Sequence, residues 1–407
     1  MKLQTLKGFR DFLPKEAKKR QFVINTIKQV FESFGFEPLE TPALEYEEVL
    51  LGKYGQEGDK LMYRFVDNGG RKVAMRYDQT VPTARVVAQY QELAFPFKRY
   101  QIQPVWRAEN TQKGRFREFL QCDADTFGTT SPLTDAEVIA VAIQALNTLG
   151  FSQFKVLIND RTVFENLPKE AIIVIDKLKK IGVDGVAREL VEKGIAKTIN
   201  DATSMIRIIE VKTLTETVTK IFSYLSSLGI NSKYFEFSPT LARGLDYYTS
   251  TIFEIEIEGY SAGSVCGGGR YDNLIGQLGG KDTPAVGFAF GFDRLMEALE
   301  EFKLFPQELN PVKALVTIFS KELVEQSISI CSQLRSNNIS TELFPDENTA
   351  LEKQLKYADK KGIMYVVIIG PEEIKENKVT LKNLKTREQK TSSQNDILEI
   401  LRSSNSE

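Results

Sequence analysis

Apolar and polar residues alternate along two adjoining segments of the chain that together run from residue 97 to residue 128. Ile102 and Trp106 belong to the first segment, a turn-forming cluster follows at residues 110–114, and Phe119 belongs to the second segment. Alternation with a period of two is typical of β-strands that bury one face. The pattern therefore predicts an antiparallel hairpin.

Helical spacing of apolar residues predicts a long amphipathic helix at residues 15–34, directly after the turn-like sequence GFRDFLP. An extended run follows at residues 36–44, and its two prolines favour an edge strand. An edge strand beside a long helix is either part of ordinary core packing or a surface for dimer formation, and both interpretations stay open. A second hairpin is predicted around Asn68, with a helix at residues 81–90 behind it.

The distribution of these patterns predicts an α+β fold with several domains, because 407 residues are too many for one core of usual size. Residues 161–235 are rich in Lys, Glu and aliphatic residues at helical spacing. They predict a helical insertion between two halves of a sheet domain, at residues 1–160 and 236–309. After a linker at 305–311, a β-α-β-α-β order in residues 312–407 predicts a separate small α/β domain.

Charge and cysteine content limit the function classes that the sequence allows. The 53 Lys and Arg residues nearly balance 55 Asp and Glu residues, so nucleic-acid binding has to rest on local patches. The three cysteines match no zinc spacing and no disulfide framework, which indicates a reducing compartment. No apolar run approaches the length that spans a membrane, so a cytoplasmic protein is expected.

The chain contains no histidine. Its absence excludes metal sites with imidazole ligands, Ser/His and Cys/His nucleophile arrangements, and an imidazole general base. Any chemistry must then come from carboxylates, from arginines, from a metal bound through oxygen ligands, or from the substrate itself.

Charged residues follow one face of the predicted hairpin at residues 97–128. Arg107 and Glu109 stand at the end of its first strand, Arg115 stands at the start of the second, and the carboxylate of Asp125 comes further along. A guanidinium fork binds phosphate well, and a carboxylate suits an ammonium or imidazole group. The combination predicts a nucleotide and a small cation bound side by side, and an ordinary solvated face is the alternative.

Further polar residues stand at the ends of predicted elements. Asp78 and Thr80 come just before a helix, where Thr80 could be a helix cap and Asp78 could bind an ammonium group. Arg294 is a lone cation among apolar neighbours, so we expect it to pair with an acid or to contact a phosphate. Glycines at 267–269 allow either close approach of a ligand or a tight bend in a sheet.

Four motifs in this order resemble the histidyl-tRNA synthetases, which are class II aminoacyl-tRNA synthetases. The motifs are RAE at 107–109, RFREF at 115–119, RGLDYY at 243–248 and GFAFGFDR at 287–294. The third motif is specific to the histidine enzymes, whereas each of the others alone is weaker. The resemblance covers nearly the whole chain, and the C-terminal domain resembles the anticodon-binding domain of that family.

The resemblance implies a class II catalytic antiparallel sheet and an ATP site. Arg107 would bind the α-phosphate of ATP, Glu109 the adenine side and Arg294 the γ-phosphate, with Arg115 also in the ATP-binding set. Arg243 would stabilise the charge that develops on the α-phosphate during attack. Arg107, Arg243 and Arg294 are thus the expected catalytic residues.

The resemblance also implies a binding pocket for the amino acid histidine. Asp125 and Tyr248 would face the imidazole, and two directional contacts of this kind reject isosteres that lack the ring nitrogens. Asp78, Thr80 and Gln121 would hold the α-ammonium and carboxylate groups. The whole expected set comprises Asp78, Thr80, Gln121, Asp125, Tyr247 and Tyr248.

The implied reaction forms histidyl adenylate from histidine and ATP and then transfers the histidyl group to tRNA(His). Mg²⁺ would bridge the phosphates, through ligands that the sequence does not identify. The segment 15–44 matches the first class II motif and would form a homodimer interface. The alternative is a catalytically silent paralogue that acts as a regulatory subunit of ATP phosphoribosyltransferase. The three arginines and residues 312–400 argue against that alternative, and the RGLDYY motif argues against a prolyl or threonyl enzyme.

Three features depart from the family pattern or stand out within it. Leu120 replaces a histidine or aromatic residue that relatives often carry, and Asp293 replaces the Glu that usually precedes the arginine of the last motif. A synthetase without histidine could be made during histidine shortage, or could have been designed so, and this is a hypothesis. Drift in composition is the alternative.

Overall fold

The structure is a computed structural model that describes residues 3–111, 114–243, 247–306 and 308–403, with residues 55–57 described by their backbone alone. The chain divides into two compact units, Met1–Phe305 and Pro306–Glu407. This division falls at the start of the segment that the sequence predicts to be a linker. Within the described ranges, no helix is both long enough and apolar enough to cross a membrane.

The first unit contains a large eight-stranded sheet and a small three-stranded sheet. The strands are β1 (Glu37–Pro38), β2 (Leu44–Tyr46), β3 (Arg64–Val66), β4 (Lys72–Met75), β5 (Phe97–Trp106), β6 (Glu118–Phe127), β7 (Phe154–Asp160), β8 (Phe235–Phe237), β9 (Thr251–Ile257), β10 (Cys266–Arg270) and β11 (Ala285–Gly291). Their orders are β1-β5-β6-β11-β10-β9-β7-β8 and β2-β4-β3. The large sheet is antiparallel except at its edges, where β1 is parallel to β5 and β7 to β8. The predicted antiparallel sheet is confirmed.

The predicted hairpin consists of β5 and β6, which pair along their whole length. Successive side chains of a strand point to opposite faces of the sheet. In β6, Cys122 and Ala124 therefore belong to the hydrophobic core, whereas Gln121, Asp123 and Asp125 point to the other face. The same strand builds the core on one side and carries polar groups on the other.

Helices cover the apolar face of the large sheet. The helices of this unit are α1 (Pro14–Ser33), α2 (Glu47–Leu50), α3 (Gly55–Lys60), α4 (Thr80–Gln89), α5 (Pro132–Thr148), α6 (Lys169–Ile175), α7 (Leu178–Glu192), α8 (Ile199–Glu210), α9 (Glu216–Ser227) and α10 (Phe292–Glu301). Buried side chains of α1, α5, α9 and α10 form the main core with the sheet, as Ile27, Ile139, Ile221 and Leu295 illustrate. Burial of such aliphatic side chains is the main source of stability for this arrangement.

The segment predicted to be a helical insertion contains two kinds of helix. Helices α6, α7 and α8 pack around a core of their own, which includes Ile172, Leu190 and Ile206. Helix α9 also falls within residues 161–235, but its buried residue Val218 belongs to the main core. The helix α9 thus packs with the large sheet, and the limits of the insertion stay a prediction.

The extended run predicted at residues 36–44 contributes to two different sheets. Its first part, β1, lies at the edge of the large sheet, whereas Leu44 begins β2 of the small sheet. Pro38 and Pro42 have no backbone N–H to donate, which favours a break in the pairing along this run.

The second unit has a five-stranded sheet with the order β13-β12-β14-β15-β16. Its elements are β12 (Ala314–Val316), α11 (Val324–Ser336), β13 (Thr341–Leu343), α12 (Leu351–Lys361), β14 (Tyr365–Ile368), α13 (Pro371–Lys375), β15 (Val379–Asn383), β16 (Gln389–Ser392) and α14 (Gln394–Ser403). The first three strands are parallel and the last two are antiparallel additions. Helices α11 and α14 pack on one face and α12 on the other. The predicted α/β domain is confirmed, with α13 and α14 as helices that the pattern did not predict.

Candidate active site

Two adjoining cavities lie on the polar side of the hairpin formed by β5 and β6. The larger one has a volume of about 360 Å³ and the smaller one about 190 Å³. Both are lined by Arg107, Gln121, Arg243, Gly267 and Ala289. Two ligands bound in these cavities would therefore meet at a shared wall.

The larger cavity brings together five residues that the sequence singles out. They are Arg107, Glu109, Arg115, Arg243 and Arg294. The first three come from the hairpin, whereas Arg243 precedes β9 and Arg294 lies in α10. Within the RGLDYY motif, residues 244–246 lie outside the described residues.

The guanidinium group of Arg107 is fixed by its neighbours. Its Nε donates to the carbonyl oxygen of Tyr77 at 3.0 Å, and its Cζ lies 4.3 Å from the ring centroid of Tyr77 and 5.2 Å from that of Phe119. Arg115 places Nη1 3.6 Å from Oε2 of Glu109 at the same side of the cavity. Stacking sets the plane of the Arg107 fork, which prepares it for a phosphate group.

The other two arginines are each anchored by one hydrogen bond. Arg243 donates from Nη1 to Oε1 of Glu254 at 2.7 Å, and Arg294 donates from Nη1 to the carbonyl oxygen of Ser264 at 2.8 Å. Burial lowers the pKa of the Arg294 guanidinium, and the nearby charge of Arg115 lowers it further. An arginine stays protonated despite such shifts. The cavity therefore gathers permanent positive charge, which suits a polyanion.

Glycines of β10 and β11 leave room for functional side chains above the sheet. A Cβ atom at Gly267 would overlap Nη1 of Arg243, and a Cβ atom at Gly287 would overlap Oδ1 of Asp125. The strand β10 is regular and pairs on both sides, so its glycines do not form a tight bend. They allow an arginine and a carboxylate to lie across the sheet surface.

The smaller cavity brings together all six residues of the expected histidine-binding set. Tyr77 and Tyr271 line it as well, so aromatic rings form much of the wall. The six predicted residues are Asp78, Thr80, Gln121, Asp125, Tyr247 and Tyr248.

Asp125 forms the centre of a buried network in the smaller cavity. Its Oδ2 lies 2.7 Å from Nη2 of Arg99, and its Oδ1 accepts a hydrogen bond from the hydroxyl of Tyr271. Burial raises the pKa of the Asp125 carboxyl, while the Arg99 charge and the Tyr271 hydrogen bond act in the opposite direction. Since Arg99 is a permanent cation, it stabilises Asp125 as a hydrogen-bond acceptor.

Asp78 is oriented by its own partners at the start of α4. Its Oδ1 accepts from the hydroxyl of Tyr54 at 2.8 Å and from the backbone N–H of Val81 at 3.1 Å. Thr80 is the first residue of the helix, so the N-cap position belongs to Gln79, whose side chain makes no capping bond. The helix cap considered for Thr80 is therefore wrong, because Asp78 makes the side-chain contact to the first turn. Burial raises the pKa of Asp78.

Comparison with known proteins adds a family to this geometry. Residues 8–295 match the family model for histidyl-tRNA synthetase, and residues 313–404 match the model for the anticodon-binding domain. The chain belongs to the histidyl-tRNA synthetase family. The resemblance of the four sequence motifs is thus confirmed.

Named members of the histidyl-tRNA synthetase family cover nearly all of the chain. A histidine–tRNA ligase of Cytophaga hutchinsonii is 40% identical, over 94% of this chain and 96% of that protein. A histidine–tRNA ligase of Gloeobacter violaceus is 41% identical, over 95% and 96%. The crystal structure of histidyl-tRNA synthetase from Nostoc sp. PCC 7120 has a TM-score of 0.86 at 30% identity and covers 99% of both chains. The class II fold expected from the motifs is confirmed.

Sequence reasoning missed four side chains of this histidyl-tRNA synthetase site. Tyr271 had a signal in the sequence, since it stands two residues after the glycine run, whereas Arg99 stands opposite Asp125 in a register that only the structure fixes. Tyr54 and Glu254 had none, because their contacts join distant segments.

Proposed function

We propose that this chain is a histidine–tRNA ligase that uses ATP. A carboxylate oxygen of histidine attacks the α-phosphorus of ATP, the bond to pyrophosphate breaks, and histidyl adenylate forms. A ribose hydroxyl of the terminal tRNA nucleotide then attacks the carbonyl carbon, and AMP leaves. The observation that carries this proposal is that Arg107, Arg243 and Arg294, from three distant segments, line one cavity beside the proposed histidine pocket.

The arginines would act as fixed cations around the triphosphate. Arg107 and Arg243 line both cavities, so they stand where the histidine carboxylate would meet the α-phosphate. Arg294 lines only the larger of the two cavities, which fits contact with the γ-phosphate. Cations that are already oriented stabilise developing charge without reorganisation. Neither step needs a nucleophile or an imidazole base from the protein, which agrees with a chain without histidine.

The smaller cavity would hold histidine through directional contacts. Asp125, kept as an acceptor by Arg99, would take one imidazole N–H, and the phenol group of Tyr248 stands in the same cavity for the second nitrogen, while Tyr271 donates to Asp125. The Asp78 carboxylate would bind the α-ammonium group. A site built from such groups leaves buried polar atoms unpaired when the ligand lacks an imidazole.

Gln121 supports the same assignment at the shared wall. Its Oε1 is buried and has no hydrogen-bond partner among the residues that the structure describes. A buried acceptor without a partner costs free energy, so a ligand N–H that reaches it is favoured. The α-ammonium group of histidine would supply that N–H.

Mg²⁺ would arrive with ATP and screen the charge of its phosphates. Oxygen ligands are what this ion prefers, and the larger cavity offers the carboxylates of Glu109 and Glu254. Glu109 and Glu254 already pair with Arg115 and Arg243, so they would contribute at most part of the ligand set, and ATP and water would supply the rest.

The second unit would bind tRNA. Its match to an anticodon-binding domain over residues 313–404 supports this partner. One side of α12 carries Lys353, Lys356, Lys360 and Lys361, which could bind a phosphate backbone. It adds less support, because Lys356 pairs with Glu352 and Lys361 pairs with Glu342. The proposed contact with tRNA(His) therefore rests on the domain and not on the charge of one helix.

A homodimer in the cytoplasm completes the proposal. The small sheet exposes apolar side chains of Leu44, Tyr46, Phe65 and Val66 close to the segment that matches the first class II motif. Exposed apolar side chains on both outer strands of one small sheet suit a surface for protein association. Sedimentation equilibrium would test the dimer, and a monomer at micromolar concentration would overturn that part.

Histidine-dependent exchange between ATP and radiolabelled pyrophosphate tests the activity. Exchange is expected with histidine and with no other standard amino acid, and charging of tRNA(His) is expected to follow. Replacement of Arg243 by Ala should abolish exchange while the thermal transition stays in place. No exchange by the wild-type chain would overturn the proposal and favour the regulatory subunit of ATP phosphoribosyltransferase. That alternative has less support, because relatives named as ligases match almost the full length.

A further inference from the structure

The segment before α1 is bound to the hairpin that carries the ATP-binding residues. The carbonyl oxygen of Gly8 accepts hydrogen bonds from the backbone N–H groups of Arg117 at 2.9 Å and Glu118 at 3.4 Å. Gly8 has a φ of +89°, and a Cβ atom there would press against the side chain of Arg117. The N-terminal segment is therefore fitted closely to the start of β6.

Arg10 connects two walls of the larger cavity from outside. Its Cζ lies 3.2 Å from the ring centroid of Phe116, and its Nη2 lies 2.8 Å from Oδ1 of Asp293. Phe116 and Asp293 both line the cavity, whereas Arg10 does not. One side chain thus joins the segment just before β6 to the start of α10.

Asp293 connects Arg10 to the helix that carries Arg294. It lies in the first turn of α10, directly before Arg294, and its side chain is 6% exposed. Arg20 also binds its Oδ1, at 3.0 Å. Because the Asp293 carboxylate is held by two cations, the backbone from which Arg294 extends is held as well.

We propose that Arg10 is a positioning residue for the nucleotide, acting on Phe116 and Asp293 to keep the two walls of the larger cavity in place for ATP. The inference rests on the proposed function, since it assigns that cavity to ATP. Arg10 itself touches neither substrate. Its loss lets the hairpin and α10 move apart, so ATP binding weakens while the histidine pocket keeps its own contacts to Arg99 and Tyr271.

The test is the Arg10→Met variant of the full chain, which keeps an unbranched apolar stem but removes the charge and the planar group of the side chain. Titration calorimetry with ATP alone should give a Kd raised by about tenfold, from the lost ion pair and stacking contact. The KM for ATP in pyrophosphate exchange should rise in parallel, while the KM for histidine stays within about twofold.

Lys19→Met is the matched control. Lys19 also ties the N-terminal region to α10, through an ion pair with Glu300 and a contact 5.1 Å from the ring of Phe305. It reaches neither Phe116 nor Asp293, so its Kd for ATP should stay at the wild-type value. A general loosening of the N-terminal region would instead weaken ATP binding in both variants.

A second variant guards against failure to fold. Arg10→Lys keeps the charge beside Asp293 but loses the planar stack on Phe116, and it should raise the Kd for ATP by about threefold or more. An unchanged Kd in folded Arg10→Met or in Arg10→Lys would overturn the inference, and so would equal weakening of ATP and histidine. Absence of histidine-dependent exchange in the wild-type chain would instead overturn the proposed function.

Discussion

Arg99 and Asp125 face each other across β5 and β6, with Nη2 of Arg99 2.7 Å from Oδ2 of Asp125 and both side chains almost completely buried. Replacement of Arg99 by Met should destabilise the first unit by about 3 kcal/mol, because it leaves a buried carboxylate without its counter-charge. The same change should raise the KM for histidine. Differential scanning calorimetry and exchange kinetics measure these two effects.

The double variant Arg99→Met with Asp125→Asn provides the control for stability. Removal of both charges is less damaging than removal of one, so its melting temperature should lie above that of Arg99→Met. An Arg99→Met chain that melts at the wild-type temperature would contradict the role given to this pair.

Asp123 offers a test of pH dependence. Its side chain is almost fully buried, and its Oδ1 has no hydrogen-bond partner among the described residues. Burial raises the pKa of Asp123 well above the ordinary value of 3.8, and the charges of Asp125 and Asp78 add to the rise against that of Arg99. The folded chain therefore keeps this proton at pH values where the unfolded chain has released it.

The sign of the effect follows from that difference. The free energy of unfolding should fall as the pH rises above 3.8, because the unfolded state gains by releasing the proton that the folded state retains. Asp123→Asn removes this contribution. Its melting temperature should exceed that of the wild type by more at pH 8 than at pH 5. The same difference in melting temperature between variant and wild type at both pH values would contradict the prediction.

A substitution at Gly267 tests whether the guanidinium of Arg243 needs the space that this glycine leaves above β10. In Gly267→Ala the added methyl group would displace the guanidinium, so kcat for exchange should fall by about a hundredfold while the fold persists. Gly69→Ala is the control, because Gly69 lies in the exposed turn between β3 and β4. Near-normal exchange in Gly267→Ala would remove Arg243 from the chemistry at the shared wall.

Local patterns predict much of the fold. Alternation over residues 97–128 gives the hairpin, and helical spacing gives α1, because both signals arise within one element. The packing of α9 on the main core is not predictable in this way. Its apolar face is equally suited to the insertion, and only the tertiary structure decides which surface buries it.

The same distinction between local and tertiary signals applies to the residues of the site. The resemblance supplies Arg107, Arg243 and Arg294, but no local pattern indicates that they share one cavity, since their segments are far apart in the chain. Arg99 is missed because its burial depends on the register of two strands. Tyr271 is missed because a tyrosine after a glycine run looks like ordinary core packing.

Both the hydrophobic core and the binding site depend on the pairing register of β6. A shift of its pairing by a single residue would turn Gln121, Asp123 and Asp125 toward the helices and point Cys122 and Ala124 at the ligands. Such a shift would destroy the hydrophobic core and the polar surface of the cavities together. Binding of histidine is therefore evidence that β5 and β6 have paired in the correct register.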